Sequence, residues 1–544
     1  MVIQALGRQR RGRGKASRRP EPMTFLFERH PPPLLIRSGS LSCMVRLGEL
    51  CAATSLFTDL GTGQPVEHGL RACLVSMRLA EVLGLDTEVR REVFFVTLLR
   101  FLGCTAESHH AAELFNGDDV GLMSGMAPVT MGSTLEEFGG LVRTANRTVG
   151  FPGSLRSLAS ALADPAGGER LLDAHCEVAS RLAFDMGLPA EVSTALDRGY
   201  ARWDGRGVPR WVGGEEVPMS VRVSVVARDL ELWGREFGSR LAGEILQRRR
   251  ERAYAPAVVD AAIDVGIDAL RDCDDDLWDV VVGLEPAPWL EVAGDELPGA
   301  LAALGDFADL KAPEFTGHSR RVARIVTRAA DIAGLAADEA GTLALAGSVH
   351  DLGVVAAPVR VWRTAPRLGP AEEEQARVHP MWSERLLSRV SGLEQVAACA
   401  GRHHERLDGT GYPTGAVDDL DRSAGILACA EFYVERSRMG RTAAAELAAL
   451  GTARALPAGG VRAVLDAVDA PGPSVVVERP AGLTEREVDV LRLLAGGMTN
   501  RQIAEQLGIS KRTVGSHVEH IYLKAGVRTR AAATLFAVRH NLID

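Results

Sequence analysis

The chain has 544 residues, 24% of them charged and 46% apolar, with a formal net charge of -9 at pH 7 and a pI near 5.9. That length exceeds what one core organises and predicts about three or four domains at roughly 150 residues each. The acidic balance excludes a globally basic nucleic-acid binder, so any basic surface must be local. The absence of an uninterrupted apolar run of about 18 residues argues against a membrane-spanning helix, and the eight cysteines form no CxxC pair, as expected of reduced, buried thiols in a cytoplasmic protein.

Residues 1–43 carry Arg8, Arg10, Arg11, Arg13, Arg18 and Arg19, then Pro31, Pro32 and Pro33, and read as a disordered basic tail or an over-extended start. From Met44 onward, helical periodicity dominates and the expected fold class is all-α. The chain repeats itself. LLRFLGC (98–104) falls on SVHDLGV (348–354), DAHCEVASRL (173–182) on RVHPMWSERL (377–386), and the turn from Trp203 to Pro209 on that from Leu407 to Pro413. Two related helical domains are therefore expected at 44–270 and 300–470. An acidic linker at 271–299 (Asp272, Asp274, Asp275, Asp276) separates them, and a Pro/Gly linker at 471–482 leads to a last domain at 483–544.

The second copy gathers nitrogen and carboxylate donors: His318, His350-Asp351, His379 and His403-His404. Such donors suit divalent iron, manganese, zinc or nickel, and an aspartate can bridge two ions. This spacing, together with HHERLDGTGYP, resembles the HD-GYP subgroup of the HD metal-dependent phosphohydrolases over about 300–470. The resemblance implies His350 and Asp351 at the catalytic centre and hydrolysis of cyclic di-GMP or another nucleotide. It also implies Glu314 as a further metal ligand, Glu431 as the closing one, and Arg438 and Arg441 against substrate phosphate. The sequence departs from the family pattern with Glu431 for an aspartate, Val354 for a lysine, and a shortened arginine element.

In the first copy Arg100-Phe101 replace the His-Asp pair, Gly199-Tyr200 the double histidine and Arg228 the last carboxylate. Only His68 and His175 remain, so a degenerate, non-catalytic domain is expected, because guanidinium groups at ligand positions repel cations. His109 and His110, near Asp118 and Asp119, read as a solvated loop.

Thr484 and Glu487 form a capping-box pattern, Thr499 caps a helix from Asn500 to Leu507, and Ser510 caps another from Lys511 to about Ala525. Two helices joined by Leu507-Gly508-Ile509-Ser510 make a helix-turn-helix. Arg501, Lys511, Arg512, Lys524, Arg528 and Arg530 supply a local basic excess. The whole segment is similar to the LuxR/FixJ-type DNA-binding domain. That resemblance implies phosphate contacts from Lys511, Arg512, Thr513, His517 and Lys524, and base contacts from Gly515, Ser516 and Glu519. The last helix, Arg530 to Leu542, carries Leu535 and Val538 as a dimer face.

The sequence thus predicts a cytoplasmic, homodimeric transcriptional regulator that binds double-stranded DNA and is controlled by a metal- and nucleotide-binding HD-GYP-like domain. The alternative is a metal-dependent phosphodiesterase for which DNA binding sets location.

Overall fold

The computed structural model describes residues 44–106, 108–114, 117–131, 133–148, 166–210, 212–265, 276–363, 368–415, 420–440, 442–469 and 480–543. The expected tail at 1–43, and the acidic run apart from Asp276, lie outside them.

Helices dominate, as expected. The first copy is built on α1 (Leu47–Gly61), α2 (His68–Val82) and α3 (Thr87–Leu99). An inserted excursion follows that includes α4 (Ser108–Leu114) and α5 (Asp119–Met126), and then come α6 (Gly167–Asp185) and α7 (Met219–Phe237). After α8 (Leu277–Gly283), the second copy repeats the order with α9 (Leu297–Asp309), α10 (His318–Ala333), α11 (Ala337–Val349), α12 (His379–Leu387), α13 (Glu394–Ala400) and α14 (Arg422–Arg438).

The repeat is visible in atomic detail. A Cβ on Gly103 would sit 2.0 Å from the carbonyl oxygen of His175, and one on Gly353 would sit 2.0 Å from that of His379. Both copies thus need glycine where the turn after the third helix meets the histidine-bearing helix. Asp59 accepts from the Gly69 amide, and Asp309 accepts from the amide and hydroxyl of Ser319, so each first helix anchors the start of the second in the same way.

The expected acidic linker is structured over its described part. Asp276 accepts from the Trp278 amide as the N-cap of α8, which buries Leu277, Trp278, Val281 and Val282. That apolar quartet lies on one helix face, a pattern the neighbouring charge run conceals. Strand β1 (Met44–Arg46) pairs antiparallel with β2 (Glu291–Ala293), so the segment before the second copy closes against the start of the first. The copies also share the fully buried Lys311, whose Nζ lies 2.7 Å from Asp119 of the excursion, while Asp119 accepts from the Val359 amide. A buried lysine persists only with such a partner.

The C-terminal segment forms α15 (Glu485–Ala495), α16 (Asn500–Leu507), α17 (Lys511–Ala525) and α18 (Arg530–Arg539). Thr484, Thr499 and Ser510 each accept from an amide three residues on, as their sequence positions predict, and Gly508 ends α16 at φ 64°. These helices have their own core, including Leu491, Ile503, Val514 and Ile521. Ala531 and Leu535 of α18 instead join the core of the tandem body. Leu535 and Val538, expected as a dimer face, are therefore covered within the chain, at 1% and 6% exposure. Among the described residues, no helix is long and apolar enough to cross a membrane.

Candidate metal centre and nucleic-acid interface

The donors predicted in the second copy converge from five elements. His318 opens α10, His350 and Asp351 follow α11, His379 opens α12, His403 and His404 follow α13, and Glu431 sits mid-α14. Their ligand atoms form two groups, His318/His350/Asp351/Glu431 and His379/His403/His404. Asp351 reaches both. Its Oδ2 lies 3.3 Å from His318 Nε2 and 3.6 Å from His350 Nε2, and its Oδ1 lies 3.2 Å from His379 Nε2 and from His403 Nε2. Glu431 Oε2 lies 2.9 Å from His318 Nε2 and 3.1 Å from His350 Nε2, so the extra methylene relative to aspartate still brings a carboxylate oxygen into the group.

The backbone fixes the tautomers. Nδ1 of His350 faces the Gly347 carbonyl at 3.0 Å, that of His379 the Ala376 carbonyl at 2.6 Å, and that of His403 the Ala400 carbonyl at 2.6 Å. A carbonyl only accepts, so each Nδ1 carries a proton and each ring turns its Nε2 toward the centre. His379 Nε2 and His403 Nε2 then face one another at 2.9 Å, with Asp351 Oδ1, itself buried and without a hydrogen-bond donor, alongside. Converging lone pairs around a bridging carboxylate fit divalent cations.

Charge is balanced accordingly. Burial pushes His318 and His350 down, yet Glu431 and Asp351 outweigh it and hold both imidazoles above their usual range. Burial holds His403 low, and burial together with His403 and His379 holds His404 lower still. Burial raises Asp351 and Glu431, but the surrounding histidines keep both well below ordinary carboxylates.

Glu314 and Arg438 meet each other outside the two ligand groups. Glu314, expected as a further ligand, lies on the short turn Pro313–Phe315, and Gly317, at φ 73°, caps α10 after it. It joins neither ligand group, although its Oε2 is buried without a hydrogen-bond partner. Arg438 Nη1 donates to the Glu314 carbonyl at 2.9 Å, and its guanidinium lies 5.3 Å from the Phe315 ring centre. Arg441 lies outside the described residues. Val354 is buried beneath Trp362, whose Nε1 donates to its carbonyl at 3.0 Å. Phe315, Trp362 and Tyr412 line the centre, Tyr412 stacking on His404 at 4.5 Å.

Glu405 was missed. Buried in the middle of the HHERLDGTGYP loop, it accepts from the Thr414 amide and hydroxyl, each at 2.7 Å, and from the Gly415 amide. A carboxylate flanked by two histidines and a glycine-rich turn was the available signal. The small residues three positions before each histidine, Gly347, Ala376 and Ala400, were another.

Among the described residues, the same locations in the first copy hold no comparable donor set. His175 spends Nε2 on the Arg100 carbonyl, and burial pushes its pKa down to about 4. His68 pairs through Nδ1 with buried Glu231. The Arg100 guanidinium lies 5.2 Å from the Tyr200 ring and donates to the Gly199 carbonyl, and Arg228 lies 5.6 Å from the Phe101 ring. His109 and His110 lie on α4 rather than a loop, within 3.6 and 3.8 Å of Glu113.

On α17, Lys511, Arg512, Thr513, Ser516 and Glu519 are exposed, Gly515 and His517 are half-buried, and Val514 and Ile521 face the core. Arg501 is exposed on α16. Lys524 is used differently from the expectation, because its Nζ lies 2.6 Å from Glu487 and ties α17 to α15. Arg530 donates to the Leu494 and Met498 carbonyls.

A helical tandem with a histidine-carboxylate centre, joined to a helix-turn-helix, defines the class, and the comparisons agree. Residues 303–454 match the HD domain family and residues 481–537 the bacterial regulatory proteins of the luxR family. The chain carries an HD domain and a C-terminal LuxR-family helix-turn-helix. Over 396 residues it is 24% identical to the 3'3'-cGAMP-specific phosphodiesterase 3 of Vibrio cholerae, covering 71% of this chain and 85% of that protein. It is 53% identical over 59 residues to the nitrate/nitrite response regulator protein NarP of Escherichia coli, covering 11% of this chain and 27% of that one. A crystal structure of a cyclic GMP-AMP specific phosphodiesterase of V. cholerae superposes with a TM-score of 0.54 at 19% identity, over 79% of this chain and 99% of that chain, and shows a shared fold.

Proposed function

We propose that the chain is a DNA-binding transcriptional regulator whose second HD-like domain is its input site, holding divalent metal and a cyclic dinucleotide. The observation that carries this reading is the joining of an open, basic recognition helix to a centre whose Nε2 lone pairs converge on Asp351. Lys511 and Arg512 would neutralise DNA phosphates, and Ser516 and Glu519 would meet base edges in the major groove. None of the exposed base-facing residues is a bidentate guanine reader, so phosphate contacts would dominate affinity.

In the second domain His318, His350, Asp351 and Glu431 would hold one ion, and His379, His403 and His404 with Asp351 a second. Bound there, such ions supply a water of lowered pKa and neutralise phosphate charge. Phe315, Trp362 and Tyr412 would exclude water and offer ring faces to a nucleobase. The family likeness to phosphodiesterases and the bridging position of Asp351 favour a second reading, in which the ligand is hydrolysed.

Metal analysis with 3'3'-cGAMP and cyclic di-GMP as probes tests the input. Metal-dependent binding without turnover supports a sensor, and turnover lost in Asp351→Ala supports the enzyme. Lys511→Ala with Arg512→Ala tests the output, since it should weaken DNA binding uniformly and lower the salt slope by about 2.

A further inference from the structure

The DNA-binding helices are held against the tandem body through one face of α6. Every fourth residue of that helix, Asp173, Glu177, Arg181 and Asp185, contacts the C-terminal domain, a spacing that winds slowly round one side of a helix. Asp173 lies 3.3 Å from the Arg528 guanidinium, Glu177 accepts from the Arg528 amide at 2.8 Å, Arg181 donates to the Gly526 carbonyl, and Asp185 pairs with Arg539. Asp197, beyond α6, receives Arg528 through two nitrogens at 2.6 and 3.2 Å. Carboxylates thus take up two arginines of a domain whose own target is a polyanion.

The second domain supplies the rest of the contact. Pro313 would lie 3.0 Å from a Cβ on Gly497, Thr316 donates to the Ala495 carbonyl at 3.4 Å, and Gly317, which precedes His318, would bring a Cβ to 3.9 Å of Val538. The turn that launches the first ligand of the metal centre is therefore also part of the seat of α18.

We infer that the acidic stripe Asp173/Glu177/Asp185 with Asp197 is a phosphate-mimicking docking surface that holds the DNA-binding domain, and that release hands the apolar face of α18 to a second copy of the chain. The inference rests on the C-terminal domain binding DNA. Docking neutralises Arg528 and Arg539 and covers Ala531, Leu535 and Val538. On release the arginines strengthen the attraction to phosphates. The uncovered apolar stripe is then driven to a partner, and the same stripe on another chain gives a closed two-fold contact.

The test changes the tandem body and leaves the DNA-binding domain intact: Asp185→Arg with Asp197→Arg in the full chain. Hydrogen exchange over 530–539, sedimentation and affinity for a generic duplex are measured, with Asp185→Asn/Asp197→Asn as a milder pair should the reversal impair folding. Expected are lost protection of α18, a shift from monomer to dimer, and about tenfold tighter DNA binding, with Arg539→Asp added to Asp185→Arg restoring protection. Retained protection in both pairs would overturn the docking. Lost protection with unchanged DNA affinity and no dimer would overturn its role. Lost protection and dimerisation with no DNA binding by any version, wild type included, would instead overturn the DNA-binding reading on which the role depends.

Discussion

Asp351 is the residue on which the centre turns, because its two oxygens serve two groups of histidines that share no other carboxylate among the described residues. Asp351→Ala should lower the metal bound per chain, a change read by elemental analysis of the purified protein. The histidines themselves were legible because nitrogen donors and a carboxylate recur at fixed places in a self-similar chain. Their tautomers were not, since these depend on carbonyls of Gly347, Ala376 and Ala400 that only the folded turns bring into line. Gly353 is a second sensitive position. Gly353→Ala puts a methyl 2.0 Å from the His379 carbonyl. The resulting backbone shift should cost at least about 2 kcal/mol in thermal or denaturant unfolding and disturb metal binding through His379.

Among the elements, α15 and α17 illustrate how one carboxylate serves two purposes. Burial pushes Glu487 upward, but Lys524 and the Thr484 cap outweigh it and bring its carboxyl from an ordinary 4.5 down to about 2. A folded-state pKa below the unfolded one means that the stabilisation is complete above about pH 4.5 and is lost as pH falls toward 2. Hydrogen exchange across 485–525 should therefore accelerate between pH 5 and pH 3 beyond its intrinsic pH dependence, and Glu487→Gln should remove that excess. The caps at Thr484, Thr499 and Ser510 were readable because a cap is a local pattern. The helix at 277–283 was not, because acidic neighbours masked its apolar face, and Trp278→Ala should cost about 3 kcal/mol or more by emptying that face. Lys524 shows the same limit, since charge alone does not reveal that Glu487 lies opposite it.

At the scale of the whole molecule, the two copies have divided the work. The second keeps converging lone pairs; the first has put Arg100 and Arg228 at the corresponding positions and turned the outer face of α6 toward the DNA-binding domain. The HD domain and the helix-turn-helix were legible from local motifs. The seating of α18 was not, because Leu535 and Val538 form an apolar face that fits a partner chain and a neighbouring domain equally well in sequence. Since Pro313, Thr316 and Gly317 lead into α10 and approach Gly497, Ala495 and Val538 of the C-terminal domain, occupancy of the centre and the state of the DNA-binding domain should be thermodynamically linked. The most direct test is the affinity of the full chain for duplex DNA at fixed salt, with and without divalent metal plus cyclic dinucleotide, in wild type and in Asp351→Ala. A change of about fivefold or more in wild type that Asp351→Ala abolishes is the predicted result. An affinity that ignores ligands demonstrably bound at the centre, or that responds equally in Asp351→Ala, would contradict the account.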